Sequence, residues 1–176
     1  MTDERVNIVQ GEFAVGDRQE IVIQTLLGSC VAVCAYDPVA GVGGMNHFLL
    51  PGDSGAKGVD YTVRHGAYLM ELLINGILKR GGDRKRLNAK IFGGANTVKG
   101  IGEPIGQKNI DFARRYLGAE QIPIVSESVG GSVGRRLKFW PASGRVQQAY
   151  IAPPKEEFTL SYPKVGNAKA GEIELF

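Results

Sequence analysis

The sequence lacks the features that mark exported, membrane-spanning and nucleic-acid-binding chains. It has no apolar stretch long enough to cross a bilayer, and its first residues are too polar and too acidic for a signal or transit peptide. The net charge is only +3, and the basic residues form no long run and no pattern interleaved with aromatics. We therefore predict a cytoplasmic protein that neither binds nucleic acid nor inserts into a membrane.

Cysteine and histidine are scarce, with two of each in 176 residues. In a reducing compartment two cysteines are expected as thiols rather than as a disulfide. Cys30 and Cys34 would lie roughly 13 Å apart along a strand, beyond disulfide reach and too far apart for a zinc site with His47 and His65. We expect no metal and no organic cofactor, a buried Cys34 that packs as a small apolar residue, and an exposed His65.

Glycine, by contrast, is abundant at 25 residues, and 43% of all residues are apolar. This composition is typical of a globular protein rich in turns, and the length suits one domain with its own core. Strand patterns alternate irregularly with two helical patterns, which predicts an α+β fold of mixed β-sheet with two main helices packed on it. We expect a single domain over residues 1–152 and a loosely structured tail over residues 153–176.

Turn signals and apolar periodicity predict where these elements begin and end. The first helix is expected to begin after an N-cap at Asp60 and to end before Gly81. The second is expected over residues 105–117, with Gly118 as its end signal. Strands are predicted at residues 20–27, 31–36, 44–50, 87–92, 122–125, 136–140 and 145–151, after a short edge segment at residues 6–15.

One predicted hairpin places a thiol beside an imidazole. Asp37 and Pro38 favour a turn at residues 37–40, so the strands on either side are expected to pair antiparallel. Without a bulge, this register sets Cys30 directly opposite His47, with Cβ atoms about 4.5–5.5 Å apart. An imidazole at this distance can accept the thiol proton, lower the pKa of the cysteine and activate it as a nucleophile. A core cysteine beside a core histidine fits the same pattern.

Small residues next to this pair are candidates for substrate binding. Gly28 and Ser29 leave the backbone before Cys30 open to a carbonyl substrate, and N–H groups in this segment are candidates for holding a tetrahedral oxyanion. Gly93 and Gly94 are candidates for lining the substrate groove by close backbone approach. Turns that need a positive φ are the alternative explanation for these two glycines.

Residues 25–52, TLLGSCVAVCAYDPVAGVGGMNHFLLPG, closely resemble the CheD family of chemoreceptor glutamine deamidases. The similarity extends over residues 6–151, and the stretch that holds Cys30 and His47 is its most specific part. Other segments fit the family in the same order: AKIFGGA at residues 89–95, Ile105-Gly106 with Asn109, and VGG at residues 129–131 with Gly134-Arg135.

The resemblance implies an enzyme that hydrolyses the side-chain amide of selected glutamines on methyl-accepting chemotaxis receptors. It implies Cys30 as the nucleophile, His47 as the base and an α/β sandwich related to the toxin deamidases. It also implies the cytoplasmic helical domain of a chemoreceptor as the substrate. Many family members bind the phosphatase CheC, so a CheC-type phosphatase is a candidate partner.

One position departs from the family pattern. The family carries Thr six residues before the cysteine as the third catalytic member, whereas this position is Gln24 here and Thr25 follows it. Gln24 has the same strand parity as Cys30, and its amide oxygen is able to accept a hydrogen bond from the imidazole. Thr25 would reach the imidazole only through a local bulge, for which Gly28 leaves room. Both residues are candidates for orienting His47.

The cysteine–histidine pair is compatible with other functions. Transglutaminases and cysteine proteases use the same pair, and they would be distinguished by amine incorporation or chain cleavage instead of ammonia release. A non-catalytic adaptor that binds receptors or a CheC-type phosphatase is a third hypothesis. The glutamine at position 24 motivates it, because loss of an orienting hydrogen bond would slow catalysis.

Overall fold

The computed structural model describes residues 3–50, 56–96 and 104–151, with residues 56–64 described as backbone only. The predicted tail at residues 153–176 lies outside these ranges. Two helices and a short 3₁₀ helix at Arg84–Arg86 accompany the strands of the described chain. The elements are β1 (Glu4–Asn7), β2 (Phe13–Gly16), β3 (Ile21–Leu27), β4 (Val31–Asp37), β5 (Val42–Asn46), α1 (Ala56–Lys79), β6 (Asn88–Gly93), α2 (Ile105–Ala119), β7 (Ile124–Val129), β8 (Arg135–Trp140) and β9 (Arg145–Tyr150).

The strands form two mixed sheets, as the sequence predicts. The first sheet has the order β1-β3-β8-β9, and the second has the order β2-β5-β4-β6-β7. Each contains one parallel pair, β1 with β3 and β6 with β7, among antiparallel neighbours. The α+β prediction is therefore confirmed.

The second sheet lies between the first sheet and the helices, so the described chain has three layers. One core fills the space between the sheets and includes Ile23 and Leu27 from β3, Cys34 from β4, and Met45 from β5. The other core packs the opposite face of the second sheet against α1 and α2. Neither described helix is long and apolar enough to cross a membrane.

The register of the β4–β5 hairpin differs from the prediction by two residues. Cys34 pairs with Met45 and Val31 bridges to Phe48, whereas the predicted register paired Cys30 with His47. The turn still has four residues, but it lies one residue further along the chain, at residues 38–41, because Asp37 pairs with Val42. Asp37 Oδ1 accepts the N–H groups of both Val39 and Ala40 at the start of this turn. A shift of two residues keeps every side chain on its original face.

Several predicted boundaries were wrong. Helix α1 begins at Ala56, so Asp60 lies inside it and is not the N-cap. Helix α2 runs past Gly118 to Ala119, and the residue with positive φ that follows it is Gln121 at 56°. The predicted edge segment at residues 6–15 is two strands, β1 and β2, in different sheets. The predicted strands at residues 44–50 and 122–125 are instead β5 and β7, with the bounds given above.

Candidate active site

Cys30 lies where the chain crosses from the first sheet to the second. Strand β3 ends at Leu27 in the first sheet, and β4 begins at Val31 in the second. The crossing segment, residues 28–30, is tied down through its carbonyl groups. Gly94 N–H donates to Cys30 O at 2.7 Å, Ala95 N–H donates to Gly28 O at 2.9 Å, and Asn109 Nδ2 donates to Ser29 O at 2.8 Å.

These bonds do not use the N–H donors of the crossing segment. Among the described residues, the backbone N–H groups of Gly28 and Ser29 have no protein acceptor, and the N–H of Cys30 is directed at its own thiol. Free backbone N–H groups beside a nucleophile are the donors that an oxyanion site requires.

Gly93 and Gly94 pack directly against the crossing segment and against helix α2. Gly93 has a φ of 103°, and a Cβ on it would lie 2.3 Å from Cys30 O. Gly94 has a φ of 68°, and a Cβ there would lie 2.5 Å from the Ile110 side chain. Both conditions require glycine. The two residues thus fix the backbone of Cys30, and the positive φ expected under the turn hypothesis is present at each.

Asn109 links three parts of the site, although the sequence around it indicates no such role. Its side chain is fully buried on α2, with Oδ1 accepting Leu50 N–H at 2.8 Å and Nδ2 donating to Ser29 O. A buried amide with both ends satisfied holds its partners in one arrangement. Asn109 therefore positions the segment that carries Cys30.

His47 is oriented by Thr25. The His47 Nδ1 atom lies 2.8 Å from Thr25 Oγ1, and the same hydroxyl donates to Ile8 O at 2.8 Å. A threonine hydroxyl has one proton and a carbonyl accepts only, so Thr25 must donate to Ile8 and accept from the ring. Nδ1 therefore carries the proton of the neutral imidazole. Nε2 keeps the lone pair and is the basic nitrogen.

Gln24 forms no hydrogen bond with His47; the bond to the ring comes from Thr25. Neighbouring residues of β3 point to opposite faces of the first sheet. Thr25 is buried on the face toward the second sheet, and Gln24 lies on the other face, paired with Asn7 of β1 and Lys138 of β8. The parity comparison with Cys30 assumed one straight strand. It fails because the two residues belong to different sheets, and residues 28–30 change direction between them.

Cys30 and His47 both face the first sheet but do not bond each other here. Cys30 packs at the edge of the core between the sheets, and the His47 ring reaches Thr25 across that space. The shifted register makes them diagonal neighbours, for which Cα atoms are about 7–8 Å apart. Within the described chain, the buried His47 Nε2 has no hydrogen-bond partner. This nitrogen is available to accept a proton.

The segment at residues 8–12 covers the pair, and no periodicity in the sequence pointed to it. Ile8 O receives the Thr25 hydroxyl, Gly11 N–H donates to His47 O at 2.8 Å, and His47 N–H donates to Glu12 O at 3.0 Å. Gln10 Oε1 lies 3.8 Å from Cys30 Sγ, within range of a weak S–H bond. These residues hold His47 from the side opposite to β4.

Burial keeps both groups neutral at neutral pH. Desolvation raises the pKa of the Cys30 thiol above its ordinary value, which differs from the lowered pKa expected from the sequence. Desolvation also lowers the pKa of His47 to about 4, although the nearby Glu12 carboxylate acts in the opposite direction. The pair is therefore a neutral thiol and a neutral imidazole in the substrate-free protein.

A cavity of about 350 Å³ lies beside His47 and Thr25. It is also lined by Gln24, Leu26 and Arg136. Elsewhere, Cys34 is fully buried and His65 is exposed, as predicted. Both cysteines are free thiols.

A thiol and an imidazole on one face, with a threonine hydroxyl on the second ring nitrogen, are the groups that enzymes of the nucleophile–base–orienter class combine. The family model described as CheD chemotactic sensory transduction matches residues 49–149. Relatives named "Probable chemoreceptor glutamine deamidase CheD" match the chain over more of its length. The chain belongs to the CheD family.

The identities to these relatives are high. A protein of Acidiphilium cryptum is 51% identical over 98% of this chain and 93% of its own length. One from Rhizobium meliloti is 50% identical over 98% and 96%, and one from Caulobacter vibrioides is 47% identical over 98% and 93%. The solved structure of the hypothetical protein YfiH of Bacillus licheniformis has a TM-score of 0.45 at 14% identity, covering 74% of this chain and 61% of that one. A similarity at that level supports no conclusion.

Proposed function

We propose that this protein is a chemoreceptor glutamine deamidase that hydrolyses glutamine side chains with Cys30 as nucleophile and His47 as base. The observation that carries the proposal is the contact of 2.8 Å between His47 Nδ1 and Thr25 Oγ1. It fixes the tautomer that leaves Nε2 free to take a proton, on the face of the sheet that also holds the thiol. The names of the relatives support the choice of a glutamine side-chain amide as the bond that is hydrolysed and of chemoreceptors as the class of substrate.

The first half of the reaction forms a thioester. As the receptor carboxamide reaches Cys30, Nε2 of His47 takes the thiol proton and Sγ attacks the carboxamide carbon. Since both groups are neutral before substrate arrives, proton transfer accompanies attack and no preformed ion pair is required. The oxyanion is held by the N–H groups of residues 28–30, and protonated His47 then gives its proton to the departing ammonia.

The second half consumes water. His47, neutral again, removes a proton from a water molecule that attacks the thioester carbon. Glutamate leaves and Cys30 recovers its proton from His47. Thr25 stays hydrogen-bonded to Nδ1 throughout and stabilises the imidazolium formed in each half. The carbonyl contacts from Gly94, Ala95 and Asn109 keep the nucleophile segment in place during both steps.

The position of Thr25 weakens the adaptor alternative. That hypothesis arose because Gln24 replaces the threonine of the family pattern. A threonine hydroxyl nevertheless lies on His47 Nδ1, one residue later in the chain, because residues 28–30 make the turn between sheets. We also propose a cytoplasmic location, a CheC-type phosphatase as a second partner, residues 1–152 as the single deamidase domain, and a relation of the fold to the toxin deamidases.

The deciding experiment is intact-mass analysis of a receptor cytoplasmic fragment from the same organism after incubation with this protein. Cys30→Ser and Cys34→Ser are the matched variants, since Cys34 is the only other cysteine in the chain. We expect amide-to-acid conversion and ammonia release with the unaltered protein and with Cys34→Ser, and neither with Cys30→Ser. Binding without conversion by the unaltered protein would instead identify an adaptor. Amine incorporation would indicate a transglutaminase.

A further inference from the structure

A glutamine of the chain itself lies next to the proposed nucleophile. Gln10 Oε1 is 3.8 Å from Cys30 Sγ. A carbonyl bond is about 1.2 Å long, so the carboxamide carbon of Gln10 lies no more than about 5 Å from the sulfur. The terminal torsion of glutamine is broad, so rotation of an exposed amide costs little. The side chain has the chemistry of the substrate and lies where a substrate must arrive.

The backbone holds Gln10 at this position. Residues 9–12 form a tight turn, with Glu12 N–H donating to Val9 O at 3.0 Å and Val9 N–H donating to Glu12 Oε2 at 2.9 Å. Gly11 supplies the positive φ of 88° that the turn needs, and its N–H donates to His47 O. Gln10 therefore stands at the corner of a turn that is bonded to the catalytic base. Tethering of this kind raises the effective concentration of a reacting group.

We propose that Gln10 is a substrate of Cys30 in the same molecule, so that the protein deamidates itself at this position. The inference rests on the proposed function. Sγ bonds to the Gln10 amide carbon, the C–N bond breaks, and ammonia leaves with the proton that His47 took from the thiol. Water then attacks the thioester carbon, which leaves a glutamate carboxylate at position 10 and returns the thiol. The net reaction consumes one water and releases one ammonia.

The geometry explains why conversion should be slower than that of a receptor glutamine. The amide oxygen of Gln10, rather than its carbon, is the atom nearest to the sulfur. Attack therefore requires the Gln10 amide to rotate first. The proton acceptor, Nε2 of His47, cannot move to help, because the same turn is hydrogen-bonded to the His47 backbone. We expect conversion over hours of storage rather than within one receptor turnover.

The test is peptide mapping by mass spectrometry of the full-length protein, sampled from purification onward. Cys30→Ser is the matched variant, because it keeps the Gln10-Gly11 sequence and so reports any spontaneous deamidation there. Gln19 and Gln107, which are exposed and distant in sequence from the thiol, are internal controls. We expect glutamate at position 10 to accumulate in the unaltered protein, with Gln10 intact in Cys30→Ser and no change at the two controls.

Receptor-fragment deamidation is measured on the same preparations, so that two failures are distinguished. Receptor conversion with Gln10 unchanged would overturn self-deamidation and leave the proposed function standing. Conversion of Gln10 at equal rates in the unaltered protein and Cys30→Ser would also overturn it, because the thiol would then play no part. If neither receptor nor Gln10 is converted, the proposed function itself fails. Hydroxylamine added during storage should trap the thioester as a hydroxamate on residue 10, and only when Cys30 is present.

Discussion

At the scale of single residues, the chemistry depends on which groups surround one imidazole. His47 has its Nδ1 hydrogen committed to Thr25, its backbone bonded to Gly11 and Glu12, and its Nε2 without a partner among the described residues. An unsatisfied buried nitrogen costs stability in a structural histidine. In a catalytic base the same feature keeps the lone pair available for the thiol proton.

Replacing Thr25 tests this arrangement. Thr25→Val keeps the shape of the side chain but removes the acceptor for Nδ1–H, so the ring loses its orientation and its tautomer preference. We expect kcat for receptor deamidation to fall roughly 100-fold with KM little changed.

Two variants make the Thr25 result specific. Thr25→Ser retains the hydroxyl and should keep most of the activity, whereas a purely structural role would make the loss follow side-chain size. Gln24→Ala is the control from the other face of β3 and should be close to the unaltered protein. A loss in Gln24→Ala equal to that in Thr25→Val would contradict the assignment of Thr25.

At the scale of elements, the proposed nucleophile, Cys30, is positioned by the end of β6 and the start of α2. Gly93 lies against Cys30 O, Gly94 donates to it, and the Asn109 amide holds Ser29 O. The crossing segment itself has little side chain with which to pack. Its conformation is therefore set by residues that come more than 60 positions later in the sequence. Gly93 follows Cys30 by 63 residues, and Asn109 follows Ser29 by 80 residues.

Gly93→Ala should separate this contact from ordinary backbone strain. The substitution adds a methyl group that would meet Cys30 O at 2.3 Å, at a residue whose φ is already 103°. We expect the free energy of unfolding to fall by roughly 3 kcal/mol, with loss of deamidation even where the variant remains folded. Urea unfolding followed by circular dichroism measures the change in the free energy of unfolding.

Gly131→Ala is the matched control. Gly131 also has a positive φ, 75°, but a Cβ there would have nothing within 4 Å. Its cost should be limited to the conformational term of about 1–2 kcal/mol. Equal destabilisation of the two variants would mean that the close approach of Gly93 to Cys30 O contributes nothing to stability.

At the scale of the whole molecule, the site exists only when the two sheets are packed together. His47 follows a strand of the second sheet and Thr25 belongs to the first. Their hydrogen bond joins the two sheets. The ring is consequently only 5% exposed, which is why its pKa falls to about 4. Folding thus places a group that protonates easily in water where protonation is unfavourable.

This burial predicts a dependence of stability on pH. The pKa of His47 is depressed in the folded state relative to its ordinary value of 6.5, so the stabilisation is fully present above 6.5 and is lost as the pH falls toward about 4. We expect the unfolding free energy to decrease by roughly 2–3 kcal/mol over that window on account of His47 alone.

Urea unfolding at several pH values between about 7 and about 4.5 measures this dependence. In His47→Gln the unfolding free energy should decrease less over this pH range, because glutamine does not titrate. The difference from the unaltered protein should equal the contribution attributed to His47. Parallel curves for the unaltered protein and His47→Gln would refute the linkage.

Much of the architecture followed from the sequence. Apolar periodicity and turn residues identified both helices and most strands, because these elements bury one face each and their patterns repeat locally. The hairpin register was wrong by two residues because the four-residue turn begins after Asp37 rather than at it, with the Asp37 side chain accepting two backbone N–H groups of the turn. That bond depends on a rotamer, and composition does not report rotamers.

The sequence by itself determined that Cys30 and His47 face the same way, since strand alternation has a period of two and a register shift of two residues preserves it. It also determined the family, through the residues around those two positions. Only the tertiary structure decided that Thr25 and not Gln24 orients the imidazole, and that Gln10 lies beside the thiol. Both contacts join residues of different sheets or of a covering turn, and no local pattern records how separate sheets pack on each other.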